Sequence, residues 1–286
     1  MTNAPGGFLL VDKPAGMTSH DAVDQVRRAL GVRKVGHAGT LDPSATGLLL
    51  MASGRATRLL RFVGDLEKEY EGTGVLGVET DTLDADGAAV GGDPEEAARV
   101  GVDELRDAMA AFVGEIEQVP PAYSAVKVRG ERLHRAARRG EAVAAPPRTV
   151  RVEAFDLRAF EPPSFEFRVA CSGGTYVRSL VADTGGRLGC GAHLTRLRRT
   201  GIGPFRVEDA RPPDDPGATA EPATALGHLP QVAVTDEERV AVSHGRVLGP
   251  AGIEGPYRVH GRDGRLLGIY HDEGAKAVPD VVLAPA

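Results

Sequence analysis

The sequence has no tryptophan and only two cysteines, and it contains no long apolar run. Two cysteines are too few for a disulfide framework in a chain of 286 residues, so we expect Cys171 and Cys190 to be buried thiols in a reducing compartment. No apolar run approaches the roughly 20 residues that cross a bilayer, and the N-terminus lacks the pattern of a secretory signal. These absences predict a cytoplasmic protein without membrane contact.

The formal net charge of -6 argues mildly against a nucleic-acid partner, because phosphate binding usually leaves a basic footprint. The basic residues nevertheless cluster, and an acidic protein can present a basic face. A solvated helix face is the commoner explanation for an isolated run of arginines. The first cluster is Lys127, Arg129, Arg132, Arg135, Arg138 and Arg139, and the second is Arg187, Arg196, Arg198, Arg199 and Arg206.

One loop, GHAGTLDPSATG at residues 36–47, concentrates glycines and small hydroxyl residues around a single acid, Asp42. Glycine lets the backbone adopt positive φ and approach a ligand closely. Pro43 fixes its own φ and restricts Asp42 to an extended or turn geometry. The carboxylate is therefore either held for chemistry or simply caps a turn, as Asp before Pro often does.

Hydrophobic periodicity and turn residues predict a chain of interleaved strands and helices. We expect strands at 7–11, 70–78, 150–157, 165–171 and 194–201, and helices at 18–30, 45–60, 94–113, 133–139 and 176–188. An acidic loop at 80–93 and a linker at 211–223 separate some of these. The C-terminal stretch predicts a helix at 235–244 and strands at 257–260, 266–270 and 281–283. The predicted domains are 1–230 and a small β-rich module at 231–286.

Five separated motifs, in this order, resemble the tRNA pseudouridine synthase B (TruB) family over roughly the first three quarters of the chain. They are LVDKPAGMTS at 10–19, the 36–47 loop, KEY at 68–70, VPPAYSAVK at 119–127 and CSGGTYVRSL at 171–180. The resemblance implies an α+β fold around a mixed, largely antiparallel sheet, with a C-terminal module similar to a compact PUA RNA-binding domain. It also implies a stand-alone bacterial enzyme that converts uridine-55 in the T-loop of tRNA to pseudouridine.

The resemblance also assigns residues. Asp42 matches the family's catalytic aspartate, and Arg178 the arginine that pairs with it, which we expect to form a planar two-point contact. Tyr70 matches the tyrosine that packs on the uracil and is placed to act as general base. The substrate-binding residues it implies are His37, Tyr176 and Leu197, with Lys13, Lys127, Arg196 and Arg199 as phosphate contacts.

The reaction needs no redox step and no group donor, so we expect no cofactor, no metal, no guide RNA and no protein partner beyond the T-arm stem-loop of tRNA, with a monomer as the default. One departure is His134, where the family commonly has an aromatic residue. An RNA-binding or RNA-folding module is the main alternative, but a pure binder has no need for the Asp42 carboxylate. A guide-RNA-dependent relative would carry more basic extensions, and a metal-dependent hydrolase lacks ligand spacing.

Overall fold

The architecture was established with a computed structural model. It describes residues 6–124, 126–128, 131–132, 139 and 145–283, with the backbone alone at 127, 131 and 132. The six α-helices of this part are α1 (Ser19–Leu30), α2 (Pro94–Ala97), α3 (Val102–Ala110), α4 (Val177–Arg187), α5 (Pro222–Ala225) and α6 (Asp236–Ser243). Two 3-10 helices cover Gly54–Phe62 and Val207–Asp209.

Strands dominate the described chain. The first nine are β1 (Phe8–Lys13), β2 (Val35–Ala38), β3 (Thr46–Ser53), β4 (Lys68–Leu76), β5 (Glu79–Thr80), β6 (Ala89–Gly91), β7 (Gly114–Gln118), β8 (Lys127–Val128) and β9 (Glu131–Arg132). The others are β10 (Arg148–Glu161), β11 (Ser164–Cys171), β12 (Ala192–Ile202), β13 (Phe205–Arg206), β14 (Gln231–Ala233), β15 (Pro256–His260), β16 (Leu266–Glu273) and β17 (Lys276–Val282).

The central sheet has the order β1-β3-β12-β4-β11-β10-β7, with β2 also paired to β3 and β13 to β12. Neighbouring strands are antiparallel except β3 and β12, which pair in parallel where Thr46 and Gly47 face Arg198 and Arg199. The sheet is therefore mixed and largely antiparallel, which confirms the predicted α+β class. A separate four-stranded sheet, β14-β15-β16-β17, forms the C-terminal module.

The helix predicted at 45–60 is wrong, because this segment forms strand β3 followed by a 3-10 helix. Strand β3 is hydrogen-bonded to β1 along one edge and to β2 and β12 along the other. Both of its faces are buried, so the apolar run does not alternate with polar residues. A continuous apolar run cannot by itself distinguish a buried strand from a buried helix.

Three other segments differ from expectation. The helix predicted at 94–113 is divided into α2 and α3, and Gly101 is the N-cap of α3. The acidic loop at 80–93 contains the short β5–β6 hairpin. The basic helix predicted at 133–139, with the departure at His134, falls outside the described residues except for Arg139.

Two hydrophobic cores lie on opposite faces of the central sheet. Alternate residues of β3 divide between them, with Leu49 and Met51 in the first and Leu48 and Leu50 in the second. Helices α1, α3 and α4 pack in the first core. The second core also contains Leu266, Ile269 and Val281 of the C-terminal module. A third, smaller core lies within that module. Both cysteines are buried and free, as predicted. Among the described residues, no helix has both the length and the apolar character needed to traverse a lipid bilayer.

Candidate active site

A cavity of about 710 Å³ opens where β4 and β12 meet the loop that precedes β3. It gathers residues that are far apart in the chain: the loop around Asp42, the turn after β5, the 123–124 segment and the start of α4. Its lining includes Thr18, His20, Gly39, Asp42, Lys68, Tyr70, Thr82, Asp84, Tyr123, Tyr176, Arg178, Leu197 and Arg199. Six of the ten predicted site residues meet here: Asp42, Tyr70, Tyr176, Arg178, Leu197 and Arg199.

The backbone on both sides of Asp42 is held by buried side chains. Ser19, the first residue of α1, exchanges hydrogen bonds with the backbone of Leu41, as donor at 3.1 Å and acceptor at 2.9 Å. The ammonium of Lys13 donates to the carbonyls of Pro14, Met17 and Pro43 at 2.9, 2.8 and 3.3 Å. Lys13 is fully buried, so the structure corrects its expected phosphate contact: its charge fixes the loop instead.

The carboxylate of Asp42 lies 3.1 Å from Nη2 of Arg178. Arg178 is buried, and its Nη2 also donates to the carbonyl of Tyr123 at 3.0 Å. Its Nη1 donates to the carbonyl of Thr82 at 2.8 Å and to Asp84 at 3.1 Å. The expected two-point contact is therefore replaced by one contact to each of two carboxylates.

Asp84 was not predicted as a site residue, because in the sequence it is only one of several acids in the 80–93 loop. No spacing signal distinguishes it from Asp81 or Asp86. Its burial depends on the close approach of this loop to β12, where the backbone of Leu83 and Ala85 bonds to Leu194. Thr82 donates its hydroxyl to Asp84 at 2.6 Å and so fixes the carboxylate that faces Arg178.

Burial raises the pKa of Asp42 above its ordinary value, and the negative charge of Asp84 acts in the same direction. The Arg178 guanidinium opposes the shift and favours the charged form. The Asp42 side chain is 45% exposed, and it has a fixed cation beside it. This combination suits a nucleophile or a group that stabilises developing positive charge.

Tyr70 of β4 is buried directly opposite Arg199 of β12. The guanidinium carbon lies 5.9 Å from the centre of the phenol ring. Burial raises the pKa of Tyr70, and the positive charge of Arg199 counteracts this rise. Arg199 is itself 1% exposed and donates to the carbonyls of Leu48 at 2.7 Å and Gly39 at 3.0 Å. It is therefore part of the cavity wall, and the expected surface contact to a phosphate is corrected.

Lys68 is a second cation of the cavity wall that the sequence did not single out. Its ammonium donates to the carbonyls of Gly64 at 2.7 Å and Leu66 at 2.9 Å. Burial, with the nearby charge of Arg199, lowers the pKa of Lys68 to about 8. The KEY motif contained this lysine, but nothing in the spacing predicted that it would turn inward.

Tyr176 immediately precedes α4, and its backbone is held on both sides by Gln118. The Gln118 amide donates to the Tyr176 carbonyl at 3.0 Å, and its oxygen accepts from the Tyr176 N–H at 2.7 Å. The Tyr176 ring is stacked by Arg148, whose guanidinium carbon lies 4.8 Å from the ring centre. Leu197 of β12 lines the same cavity.

His37 lies on β2 and contacts the cavity through a neighbour. Its ring meets the ring of His20 edge to face, with centres 5.6 Å apart, and His20 lines the cavity. Burial lowers the pKa of His37 to about 4, assisted by the charges of His20 and Arg199. The ring is therefore neutral at physiological pH.

The second basic cluster is largely paired with acids. Arg198 contacts both oxygens of Asp12 at 3.0 and 2.8 Å, and Arg206 lies 3.3 Å from Glu69. The Arg196 side chain stays 67% exposed, with Glu166 at 3.7 Å, so it is accessible to a ligand. The side chain of Lys127 lies outside the described part. Within the described residues, no group of three or more His, Cys, Asp or Glu side chains could hold a metal ion.

Family models match almost the whole chain. The model described as TruB family pseudouridylate synthase (N terminal domain) matches residues 27–177. The tRNA pseudouridylate synthase B C-terminal domain matches 178–212, and the model described as tRNA Pseudouridine synthase II, C terminal, matches 229–284.

Curated relatives agree with these matches. The chain is 43% identical to tRNA pseudouridine synthase B of Mycobacterium sp. (strain KMS), covering 98% of this chain and 97% of that protein. It is 45% identical to the protein of the same name from Aromatoleum aromaticum, covering 94% and 89%.

Among solved structures, the chain is similar to one in a Cbf5-Nop10-Gar1 complex, with 28% identity and a TM-score of 0.73 over 98% of this chain and 85% of that one. It is also similar to a chain of the archaeal box H/ACA sRNP Nop10-Cbf5 complex, with 27% identity and a TM-score of 0.72 over 98% and 86%.

Proposed function

The chain belongs to the TruB family of pseudouridylate synthases, and from that premise we propose that it converts uridine-55 in the T-loop of tRNA to pseudouridine. Its family and its relatives, which match along nearly their whole length, identify the chain as a tRNA pseudouridine synthase and hence as an isomerase. The proposed conversion of uridine-55 rests mainly on the Asp42 carboxylate, which pairs with Arg178 in a cavity large enough for a nucleotide.

The reaction breaks the bond between C1′ of ribose and N1 of uracil and forms one between C1′ and C5. C5 loses a proton and N1 gains one, so no electron donor and no external group are consumed. Asp42 supplies the negative charge that acts on the sugar or the base. Arg178 keeps that carboxylate ionised and oriented, and the buried cavity retains the detached uracil while it turns.

Tyr70 is proposed as the surface on which the uracil packs and as the base for the C5 proton. A tyrosine that takes this proton must pass through its phenolate, and the adjacent Arg199 is the charge that stabilises it. Tyr176 and Leu197 form further walls for a base that has left the RNA stack. The His20–His37 pair lies at the same cavity and suits contact with the RNA from which the base is extruded.

Binding of the T-arm itself is assigned to exposed cations. The Arg196 side chain is exposed, and we retain Lys127 as a second phosphate contact. We propose that the chain acts as a cytoplasmic monomer, without guide RNA or cofactor. The match to bacterial proteins named tRNA pseudouridine synthase B along nearly their whole length supports this, whereas the similar solved chains belong to complexes of Cbf5 with Nop10 and, in one case, Gar1.

The test is release of tritium from a T-arm stem-loop transcript labelled at C5 of uridine, without added metal or cofactor. Wild-type protein is expected to release tritium, and Asp42→Asn, which keeps the shape of the side chain, is expected to release none. RNA binding by the variant should be unimpaired, because the lost charge only repels phosphate. A transcript with cytidine at position 55 controls for the site of reaction.

Two outcomes would contradict the proposal. Tight binding without release by the wild type would favour the RNA-binding alternative. Equal release by wild type and Asp42→Asn would remove Asp42 from the chemistry.

A further inference from the structure

We propose that Arg148 is an RNA contact whose guanidinium binds a phosphate of the bound substrate beside the target nucleotide. The inference rests on the proposed function in taking RNA as the ligand. Arg148 is the first residue of β10, and it lies behind Tyr176, which lines the cavity.

The guanidinium is already oriented in the absence of a ligand. Its carbon lies 4.8 Å from the centre of the Tyr176 ring, so the planar group stacks on the phenol. Gln118 fixes the Tyr176 backbone from both sides, which makes the stacking surface rigid. At Gly174, where φ is +86°, a Cβ would already lie 3.5 Å from Nη1, so the backbone there passes close to the arginine.

One edge of this guanidinium has no acceptor. Nε and Nη2 of Arg148 are buried and lack a hydrogen-bond partner among the described residues. The other two cavity arginines differ in this respect, since Arg178 and Arg199 both donate to backbone carbonyls. An unsatisfied, water-shielded N–H is costly, and a charged donor more so. The edge is therefore prepared for an acceptor that the protein does not supply.

The shape of that edge indicates which acceptor. The N–H groups of Nε and Nη2 are parallel and lie in one plane, which matches two oxygens of one oxyanion. The carboxylate of Asp42 pairs with Arg178 instead. An RNA substrate brings one phosphate per nucleotide, and the Tyr176 ring covers a face of the guanidinium rather than its unpaired Nε–Nη2 edge. A phosphate next to the extruded uridine would anchor the backbone while the base enters the cavity.

The experiment measures the dissociation constant of a T-arm stem-loop RNA as a function of salt. The variants are Arg148→Met, which keeps the apolar stem, and Arg148→Lys, which keeps the charge. The matched control is Arg151→Met, because Arg151 is exposed on the same strand and paired with Glu153. Thermal melts establish that each variant is folded.

We expect Arg148→Met to weaken binding about tenfold at moderate salt and to reduce the slope of log Kd against log salt by about 0.7 to 1, the value of one phosphate contact. Arg148→Lys should keep the slope but bind more weakly than wild type, and Arg151→Met should match wild type. Single methylphosphonates in the loop should include one that weakens the wild type but not Arg148→Met.

Weaker binding with an unchanged slope would overturn the inference, because Arg148 would then act only by supporting Tyr176. Unchanged binding, or a methylphosphonate series that affects wild type and Arg148→Met equally, would overturn it as well. Tritium release by wild-type protein from the same RNA tests the proposed function separately, so failure of either claim is recognisable without the other.

Discussion

Arg178 is a single cation shared by two carboxylates, Asp42 and Asp84, and this arrangement affects the pKa of Asp42. Asp84 raises the pKa of Asp42 by its charge, so Asp84→Asn removes a cause of that rise. The acid limb of the profile of kcat/KM against pH should therefore move to lower pH. We expect kcat to fall by about 10- to 100-fold at neutral pH, because Arg178 loses an orienting contact.

The measurement is the initial rate of tritium release between pH 4 and 8 for wild type and Asp84→Asn. An acid limb that stays in place or moves to higher pH would contradict the assignment of Asp84 as a charge acting on Asp42.

Arg178→Lys should lower kcat by about two to three orders of magnitude. The single ammonium of a lysine cannot contact all four oxygen acceptors that surround the Arg178 guanidinium. Single-turnover rates under saturating protein would separate this loss from weaker binding. Arg206→Lys is the matched control, since Arg206 is half-exposed and paired with Glu69. A rate near that of the control would mean that Arg178 has only a structural role.

His37 is predicted to make folding sensitive to acid. Its pKa is lowered to about 4 in the folded protein against an ordinary 6.5, so below pH 6.5 the unfolded chain binds a proton that the folded chain does not. The free energy of unfolding should therefore fall from pH 6.5 to about pH 4. Urea titrations of wild type and His37→Gln would show a smaller fall for the variant. Parallel curves would contradict the lowered pKa.

At the scale of residues, motif matching placed Asp42, Tyr70 and Arg178 correctly in one cavity, although their roles stay predictions until they are tested. It misjudged Lys13 and Arg199 because residue type predicts a charged surface, whereas both cations are buried among backbone carbonyls. It missed Asp84 because a carboxylate that faces a distant arginine leaves no local pattern.

Among the elements, strand β3 has the strictest steric requirement. Gly47 has φ of +101°, and a Cβ there would overlap the carbonyl oxygen of Arg199 on the parallel neighbour β12. Gly47→Ala should therefore destabilise the fold by about 3 kcal/mol or more, from the backbone conformation and the forced separation of the strands.

Gly16→Ala is the control for that prediction. Gly16 has φ of +83° with open space around it, so only the conformational cost of about 1 kcal/mol is expected. Urea unfolding of both variants measures the difference. Equal losses would mean that the approach of β3 to β12 is not a tight constraint.

The boundaries of helix α1 followed from local signals, whereas the identity of strand β3 did not. Helix α1 begins after Thr18, which forms a capping box with Asp21 in the first turn, and it is closed by Gly31 in the left-handed conformation, as its sequence predicts. Strand β3 was mistaken for a helix because its apolar run reflects burial on both faces, and burial depends on partners elsewhere in the chain.

For the whole molecule, the C-terminal module and the catalytic sheet share one core. Leu266, Ile269 and Val281 pack in the same cluster as Phe8 and Leu48. Three arginines of the 3-10 helix at Gly54–Phe62, spaced three apart, donate to carbonyls at the end of the chain: Arg55 to Leu283, Arg58 to Val282 and Arg61 to Asp280. The module is thus attached by apolar packing and by hydrogen bonds from arginine side chains to its backbone carbonyls.

Removal of residues 231–286 should therefore destabilise the remaining chain rather than release an independent domain. We expect the full chain to unfold in one transition, with circular dichroism and tyrosine fluorescence changing together, and the shortened chain to be insoluble or to lose cooperativity. A shortened chain with the same unfolding midpoint would contradict this and favour two autonomous domains.

At this scale the resemblance carried by the five motifs predicted the fold class, which the structure confirms. The division into 1–230 and 231–286 stays a prediction. The sequence could not predict the parallel contact of β3 with β12, which joins residues about 150 positions apart. That pairing brings Arg199 beneath the Asp42 loop, and the pairing of β12 with β4 places it opposite Tyr70, so the floor of the cavity depends on both.

The position of β12 in the middle of the sheet also affects synthesis on the ribosome. Strands β3 and β4, which flank it, are made long before it, so they emerge with a gap between them that only residues 192–202 can fill. A nascent chain that stops before this point exposes two unpaired strand edges, which are prone to aggregate. The central sheet and the cavity beside it are therefore completed late in translation.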